Sequence, residues 1–221
     1  EFLNSMGANI EGIGTETLII HGVDELHSAD IDIIPDRIEA GTFLMAGALL
    51  GEIEVRDIIP GHLDKVVHKL REAGCILKIN QNSIIITPPE KIKSVDMTTA
   101  VYPGFPTDLQ AQWVAIMSLA DGSSVVTDTV YHDRFSHIPE LSRLGANIKV
   151  ENNTAFIRGK NTLVGAPVMS TDIRASASLI IAALAAKGET QISRVYHIDR
   201  GYENIEQKFE GLGGDIRRIS E

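Results

Sequence analysis

The chain has 221 residues, 43% of them hydrophobic and 23% charged, and its formal net charge is −10. Such a composition is typical of a globular protein with one large or two small domains, and its acidity disfavours general nucleic-acid binding, which needs a basic face. No apolar run reaches the ~20 residues that cross a bilayer, and the single cysteine, Cys75, excludes an internal disulfide framework. We therefore expect a cytoplasmic protein that binds neither membranes nor nucleic acid.

Three short markers recur along the chain in one order, which indicates an internal repeat of roughly 70 residues. The first is a glycine phrase, found at Gly7-Ala8, Gly74-Cys75, Gly145-Ala146 and Gly213-Gly214. The second is a glycine followed by a polar pair and a β-branched residue, found at Gly51, Gly122 and Gly188. The third is an aspartate that opens an apolar stretch, found at Asp36, Asp108 and Asp172.

Each unit predicts the same order of elements. The aspartate is followed by a stretch that is apolar on nearly all sides, which is typical of a helix buried all round; these stretches are 43–50, 112–120 and 175–186. A glycine ends that helix and a β-branched strand follows. Next comes an amphipathic helix with apolar residues three and four apart, as in Leu63 to Leu70, Ile138 to Leu144 and Tyr202 to Leu212. Paired strands close the unit, such as 76–79 with 84–87.

The predicted fold is therefore α+β, a mixed α/β class. It is an inside-out α/β barrel of three βαβαββ repeats, with the helices buried and the strands outside. The units span about 33–101, 102–169 and 170–221, and together they form one domain, 33–221. Residues 1–32 are predicted to be the terminal elements of a preceding, mostly absent domain, with strands around Ile10 and 18–20.

Aspartates at helix starts have a common structural role. A carboxylate there accepts backbone N–H groups and complements the helix dipole. Because Asp36 occupies the same repeat position as Asp108 and Asp172, the repeat alone favours helix capping for all three.

Arginines at helix starts are less expected, because the dipole disfavours cations there. Arg134, Arg174 and Arg200 each stand near such a start. Each needs either an acidic partner, such as the adjacent Asp133 or Asp199, or an anionic ligand. With Asp108 and Asp172 at neighbouring helix starts, the three arginines suggest a convergent anion-binding face.

The histidines and the cysteine of the sequence do not form a metal-binding motif. The near-neighbour histidine pairs, His62 with His68 and His132 with His137, lack the i,i+4 spacing that places two imidazoles on one helix face. Cys75 occupies a position taken by alanine or glycine in the other units, so we expect a small buried side chain. We predict no metal site.

Four phrases carry a resemblance to a known family: 102–112 (YPGFPTDLQAQ), 134–141 (RFSHIPEL), 171–177 (TDIRASA) and 196–203 (YHIDRGYE). They resemble the enolpyruvyl transferases that begin peptidoglycan synthesis, and the match extends from Phe2 to about Ile219. The resemblance implies a fold of two domains with three such units each. It also implies transfer of the enolpyruvyl group of phosphoenolpyruvate to the 3-hydroxyl of UDP-N-acetylglucosamine, with neither a metal nor an organic cofactor.

The resemblance also implies roles for single residues. Asp108 would bind the sugar hydroxyl and act as its general base. Val130 would contact the amino sugar through its backbone, and Asp172 would be a second acid/base or would orient an arginine. Of the arginines, Arg200 would clamp phosphoenolpyruvate, while Arg134 and Arg174 would add positive charge for its carboxylate and phosphate.

Part of the family's machinery has no counterpart in this sequence. The catalytic cysteine and the lysine that meets phosphoenolpyruvate belong to phrases before residue 1, and Cys75 matches neither. We therefore expect one wall of an interdomain cleft, inactive without the missing N-terminal half and open to self-association through exposed sheet edges. Two alternatives stay open: a carboxyvinyl transferase with another acceptor, and a non-catalytic module that binds a nucleotide sugar or a partner protein.

Overall fold

The computed structural model describes residues 1–219, so residues 220 and 221 of the predicted third unit lie outside the described residues. The chain divides into two compact units, Glu1–Pro35 and the part from Asp36 onward. In the first unit, helix α1 (Phe2–Ser5) precedes an antiparallel pair of strands, β1 (Asn9–Glu11) and β2 (Ile19–His21). These are the two short strands that the sequence predicts.

The second unit alternates helices with short strands. Its helices are α2 (Arg37–Leu50), α3 (Asp64–Glu72), α4 (Gln110–Met117), α5 (Ile138–Arg143), α6 (Ile173–Ala185) and α7 (Ile205–Gly211). Its strands are β3 (Ile53–Arg56), β4 (Ile76–Ile79), β5 (Ser83–Thr87), β6 (Met97–Thr98), β7 (Ser123–Thr127), β8 (Asn147–Glu151), β9 (Thr154–Arg158), β10 (Val168–Met169) and β11 (Ile192–Ser193). Short 3-10 helices span Pro60–Leu63, Thr107–Leu109 and Val195–Arg200. The mixed α/β class is therefore confirmed.

As far as residue 219, the strands of this second unit form three small sheets. One has the order β3-β5-β4 and is antiparallel throughout. Another has the order β6-β7-β9-β8, in which only the β6–β7 pair is parallel, and the third is the parallel pair β10-β11. Strands β6 and β10 precede the buried helices α4 and α6 and lie just before the predicted unit starts at 102 and 170.

Three helices form the centre of the core, because α2, α4 and α6 pack against one another. Every residue of α4 is buried, as expected of a helix apolar on all sides, and Trp113 has no exposed surface. Helix α2 approaches the 3-10 helix before α4 closely. A Cβ on Gly41 would lie 2.4 Å from Leu109 Cδ1, so any larger residue would force the Leu109 side chain to shift. This contact fixes the segment that carries Asp108 against the core.

A buried hydrogen-bonded group joins three parts of the core. Thr42 Oγ1 of α2 lies 2.7 Å from the hydroxyl of Tyr202, and Gln112 Nε2 of α4 donates to Thr42 Oγ1 at 3.0 Å. Burial raises the pKa of Tyr202 to about 12. The sequence places Tyr202 on a helix, and this is wrong, because α7 begins only at Ile205 and Tyr202 reaches the core from the preceding turn.

Candidate active site

Asp108 is held by the loop and helix on either side of it. It lies in the 3-10 helix Thr107–Leu109, between the 102–106 loop and α4. The loop is closed by a hydrogen bond from the Ala100 amide to the Phe105 carbonyl at 2.9 Å. The buried ring of Phe105 packs edge-on against Trp113 of α4, with 5.7 Å between the ring centroids. The segment that carries Asp108 is thus anchored at both ends.

The carboxylate of Asp108 binds two arginines through the same oxygen. Its Oδ1 accepts a hydrogen bond from Arg134 Nη1 at 2.9 Å and one from Arg174 Nε at 2.5 Å. All three side chains are partly exposed, at 37% for Asp108, 18% for Arg134 and 32% for Arg174. The other oxygen, Oδ2, accepts no hydrogen bond from residues 1–219. The two bonds to Oδ1 therefore orient the carboxylate, and Oδ2 can receive a ligand.

The equivalent aspartates of the other units do cap their helices. Asp36 Oδ1 accepts from the amides of Ile38 and Glu39 at the start of α2. Asp172 Oδ1 accepts from the amides of Arg174 and Ala175 at the start of α6.

For Asp108 the capping prediction is wrong, because within the described residues its carboxylate accepts no amide of α4. The residue before α4 is Leu109, which has no side chain that can cap. The acidic partner of Arg134 is likewise not the adjacent Asp133 but Asp108.

Asp172 is engaged through both of its oxygens. Besides the two amides on Oδ1, Oδ2 accepts from Ser136 Oγ at 3.0 Å, and that hydroxyl in turn accepts from Thr171 Oγ1 at 3.2 Å. Burial alone would raise the pKa of Asp172. The amides of Ala175 and Arg174, the Ser136 hydroxyl and the Arg174 charge outweigh it and hold the pKa below its usual value. Asp172 is therefore ionised and hydrogen-bonded on both sides.

The sequence does not predict a role for Asp128, yet its carboxylate accepts four hydrogen bonds. It has no exposed surface. Its Oδ1 accepts from Thr99 Oγ1 at 2.8 Å and from the amides of Val130 and Tyr131 at 3.0 and 2.9 Å. Its Oδ2 accepts from Thr107 Oγ1 at 2.5 Å. Burial raises the pKa of Asp128, but the bonds from Thr107 and these other donors lower it more, so the net shift is downward.

Asp128 links the predicted residues into one network. Thr107 donates to Asp128 and accepts from Arg134 Nη1 at 3.0 Å, and the same nitrogen binds Asp108. The Arg134 guanidinium also lies over the ring of Tyr131, 4.6 Å from its centroid. The only sequence signal for this arrangement is an aspartate two residues before Val130, a spacing at which aspartate binds its own backbone.

Val130 is held by this network through its amide. Since the amide is bound to Asp128, only the carbonyl of Val130 remains to meet a ligand, and no residue among 1–219 donates to that carbonyl. The side chain of Val130 is partly exposed beside it. The Val130 carbonyl is therefore a hydrogen-bond acceptor without a donor among residues 1–219, on a residue that is itself exposed.

Arg200 lies on a neighbouring segment and does not contact Asp108 directly. It ends the 3-10 helix Val195–Arg200 and is exposed, and its side chain makes no hydrogen bond or ion pair with another residue among 1–219. The next residue, Gly201, packs against α6 so closely that a Cβ would lie 2.5 Å from Ile173 Cδ1. Ile173 precedes Arg174, so this segment lies beside the start of the helix that carries Arg174.

The described part of the chain offers neither a metal site nor an activated thiol. No three histidine, cysteine, aspartate or glutamate side chains are grouped there as a metal site requires. Cys75 is buried, and burial raises the pKa of its thiol to about 11, as expected of a small core residue. In residues 1–219 no helix combines the length and hydropathy needed to span a membrane.

The fold belongs to a known class. The chain superposes with a TM-score of 0.86 and 31% identity on the enolpyruvyl transferase NikO from Streptomyces tendae, covering 97% of this chain and 52% of that one. An EPSP synthase from Acinetobacter baumannii has the same fold, with a TM-score of 0.75 at 16% identity over 100% of this chain and 54% of that one. The fold is therefore that of the enolpyruvyl transferases.

Sequence comparison identifies the family. The profile described as EPSP synthase (3-phosphoshikimate 1-carboxyvinyltransferase) matches residues 1–209, and the chain belongs to this family. A relative from Chlorobaculum parvum is 52% identical over 218 residues, and one from Myxococcus xanthus is 51% identical over 217 residues. Both relatives are named UDP-N-acetylglucosamine 1-carboxyvinyltransferase, and the predicted resemblance is confirmed. Each match covers 98% of this chain but only 51% and 52% of the relative, so the chain spans about half the length of the curated relatives it matches.

Proposed function

We propose that this chain supplies one wall of the active site of an enzyme that transfers the enolpyruvyl group of phosphoenolpyruvate to the 3-hydroxyl of UDP-N-acetylglucosamine and releases phosphate. One observation carries the proposal. The Asp108 carboxylate is oriented by two arginines through one oxygen, while its other oxygen accepts no bond from residues 1–219. The names of the curated relatives support the choice of substrates.

In this proposal Asp108 is the general base. A base must lie within hydrogen-bond reach of the proton that it takes, and Oδ2 can receive the sugar 3-hydroxyl while Oδ1 stays bound to Arg134 and Arg174. The Val130 carbonyl accepts a hydrogen bond from the acetamido N–H of the sugar, because the Val130 amide is already bound to Asp128. The two contacts together would orient the acceptor sugar.

The arginines bind the anionic donor. Arg134 binds Thr107 and Asp108 through Nη1 alone, and Arg174 binds Asp108 through Nε alone. The other N–H groups of the two guanidinium groups have no partner among residues 1–219 and can donate to a carboxylate or a phosphate. Arg200 clamps phosphoenolpyruvate from the adjacent segment. Asp172 orients Arg174 by holding its amide, and it does not serve as a second acid/base, because both of its oxygens are occupied and its pKa is lowered.

The predicted architecture is part of the proposal. Three units, about 33–101, 102–169 and 170–221, would form an inside-out α/β barrel. The mutual packing of α2, α4 and α6 supports this arrangement, as does the aspartate near the start of each. Because the chain spans about half the length of its relatives, we propose that it works with the half that it does not match, where the catalytic cysteine and lysine are expected. The absence of a cofactor, the place in peptidoglycan synthesis and the cytoplasmic location stay predictions.

A second acceptor is the main alternative. The family description names 3-phosphoshikimate, a small anionic acceptor, and the arginine cluster could also hold such an anion. The Val130 carbonyl, which has no donor among residues 1–219, argues against it, since a hydrogen-bond acceptor suits the N–H of an amino sugar better than a carboxylate or phosphate.

The test is phosphate release from phosphoenolpyruvate with each acceptor. The chain is assayed alone and together with the unmatched half of the Chlorobaculum parvum relative. We expect release only with both polypeptides and only with UDP-N-acetylglucosamine, and loss of release in Asp108→Asn, which keeps the size of the side chain. Release with the phosphoshikimate acceptor instead would establish the alternative. If neither acceptor supports release, calorimetric titration with UDP-N-acetylglucosamine separates a binding module, which retains affinity, from a protein that does not use this ligand.

A further inference from the structure

Near the end of the described chain, Arg218 binds two acidic side chains. Its Nη1 donates to Asp199 Oδ2 at 2.9 Å and its Nη2 donates to Asp199 Oδ1 at 2.6 Å, which is a bidentate pair. The same Nη2 donates to Glu206 Oε2 at 3.1 Å. The segment after α7 is thereby tied to α7 and to the 3-10 helix Val195–Arg200.

This contact has a consequence for Arg200. Asp199 is its neighbour in sequence, and the sequence alone allows Arg200 either this acidic partner or an anionic ligand. In the structure both oxygens of Asp199 are bound to Arg218, and the Arg218 hydrogen bonds hold the pKa of Asp199 below its usual value. Arg200 itself is exposed and makes no ion pair among residues 1–219.

We infer that Arg218 is a positioning residue for the anionic donor: by binding both oxygens of Asp199, it keeps this carboxylate away from Arg200. The Arg200 guanidinium is then open to phosphoenolpyruvate. This inference rests on the proposed function, in which Arg200 clamps that substrate. Arg218 touches no substrate itself and acts only through Asp199.

The physical basis is competition between anions. A carboxylate one residue away has a high effective concentration near Arg200, and an ion pair with it would have to be broken before a substrate anion could bind. The pair of Arg218 and Asp199 is itself about half exposed, with side chains 40% and 44% accessible, so its direct contribution to stability is small. Losing it should therefore affect substrate binding more than folding.

The experiment uses a full-length polypeptide that contains this chain. KM for phosphoenolpyruvate, KM for UDP-N-acetylglucosamine, kcat and Tm are measured for Arg218→Ala, Asp199→Ala and the double variant. We expect Arg218→Ala to raise KM for phosphoenolpyruvate by about tenfold, with the other KM and Tm nearly unchanged. The double variant should return to within about twofold of wild type, because the competing carboxylate is gone. Arg56→Ala removes the same charge from an exposed pair with Glu54 and is the matched control.

Two results would overturn the inference alone: an unchanged KM for phosphoenolpyruvate in Arg218→Ala, or a double variant as impaired as the single one. A fall in Tm accompanied by equal changes in both KM values would show a structural role and would also overturn it. A correctly folded wild-type enzyme that releases no phosphate from these substrates would instead contradict the proposed function, and with it the inference.

Discussion

Three helices of this protein start at equivalent positions of the repeat, yet they start in two different ways. Helices α2 and α6 begin directly after Asp36 and Asp172, whose extended backbone allows the carboxylate to bind two amides of the first turn. Helix α4 begins after a 3-10 turn, and Asp108 lies inside that turn. The extra turn places Asp108 two residues before α4 instead of directly before it, and its carboxylate binds arginines from two other segments. The same residue type at the same position of the sequence repeat therefore caps a helix twice and binds two arginines the third time.

Among the substitutions that test this difference between helix starts, we expect the largest loss of stability at Asp128. Its carboxylate, which has no exposed surface, binds Thr107, the first residue of the 3-10 turn, and three further donors. Asp128→Ala removes the acceptor of all four donors, of which the Thr99 hydroxyl is fully buried, so we expect a loss of about 2 to 3 kcal/mol in the free energy of unfolding. Urea unfolding followed by circular dichroism measures it. Asp128→Asn keeps the shape and some of the bonds and should lose less; equal stability of Asp128→Ala and wild type would contradict the role of Asp128 as the support of this turn.

A second test of how helices start in this protein is the start of α5, where the residue before the helix is a histidine that does not cap it. His137 precedes α5, is fully buried, and its side chain makes no capping bond. Burial lowers the pKa of His137 to about 4, although the nearby Asp172 charge raises it. In the unfolded chain the histidine takes up a proton near pH 6.5.

The folded state therefore binds fewer protons than the unfolded state between these two values. The stability contribution of neutral His137 is complete above pH 6.5 and is lost as the pH falls toward 4, by at most about 3 kcal/mol. We expect the free energy of unfolding to fall over this window. His137→Leu, which fills similar space, should flatten the profile. A slope that is identical in the variant would show that other groups cause it.

Substitution of the two capping aspartates, Asp36 and Asp172, is expected to lower stability less than Asp128→Ala does. Only the change at Asp172 should also alter the kinetics. Asp36→Ala should cost about 1 kcal/mol of unfolding free energy, and Asp36→Asn much less, because asparagine also caps. Neither should change KM or kcat of the full-length enzyme, since Asp36 has no contact with the arginine cluster among the described residues. Asp172→Ala should cost a similar amount and also raise KM for phosphoenolpyruvate, because Asp172 holds the amide of Arg174. Equal kinetic effects of the two variants would remove the distinction between them.

The sequence predicts the helices well and the pairing of side chains poorly. Helices α2, α4 and α6 are predictable because burial on all sides requires apolar residues on all sides. The partners of Asp108 are not, because Arg134 and Arg174 lie 26 and 66 residues away in sequence, and only the packing of the units brings them together.

Two further features, the role of Asp128 and the position of Tyr202, could not be predicted from the sequence for physical reasons. Asp128 escapes prediction because a single aspartate after a strand has the same local pattern whether it is exposed or buried. Tyr202 has helical spacing to Ile205 and Phe209, but spacing does not tell where the first helical turn begins. In both cases the missing information is tertiary.

The smallest effect on stability, and the largest on function, is expected at Asp108. Its ion pairs are partly exposed, and it satisfies no helix amide among the described residues, so Asp108→Ala should change the unfolding free energy by less than about 0.5 kcal/mol. The same change should abolish phosphate release by the full-length enzyme, because no other carboxylate oxygen in the described network is left to take the hydroxyl proton. Asp36→Ala is the matched control, since it removes the equivalent aspartate of the first unit and should show the reverse pattern. A loss of stability in Asp108→Ala as large as in Asp36→Ala would mean that the 3-10 turn does not separate the two roles.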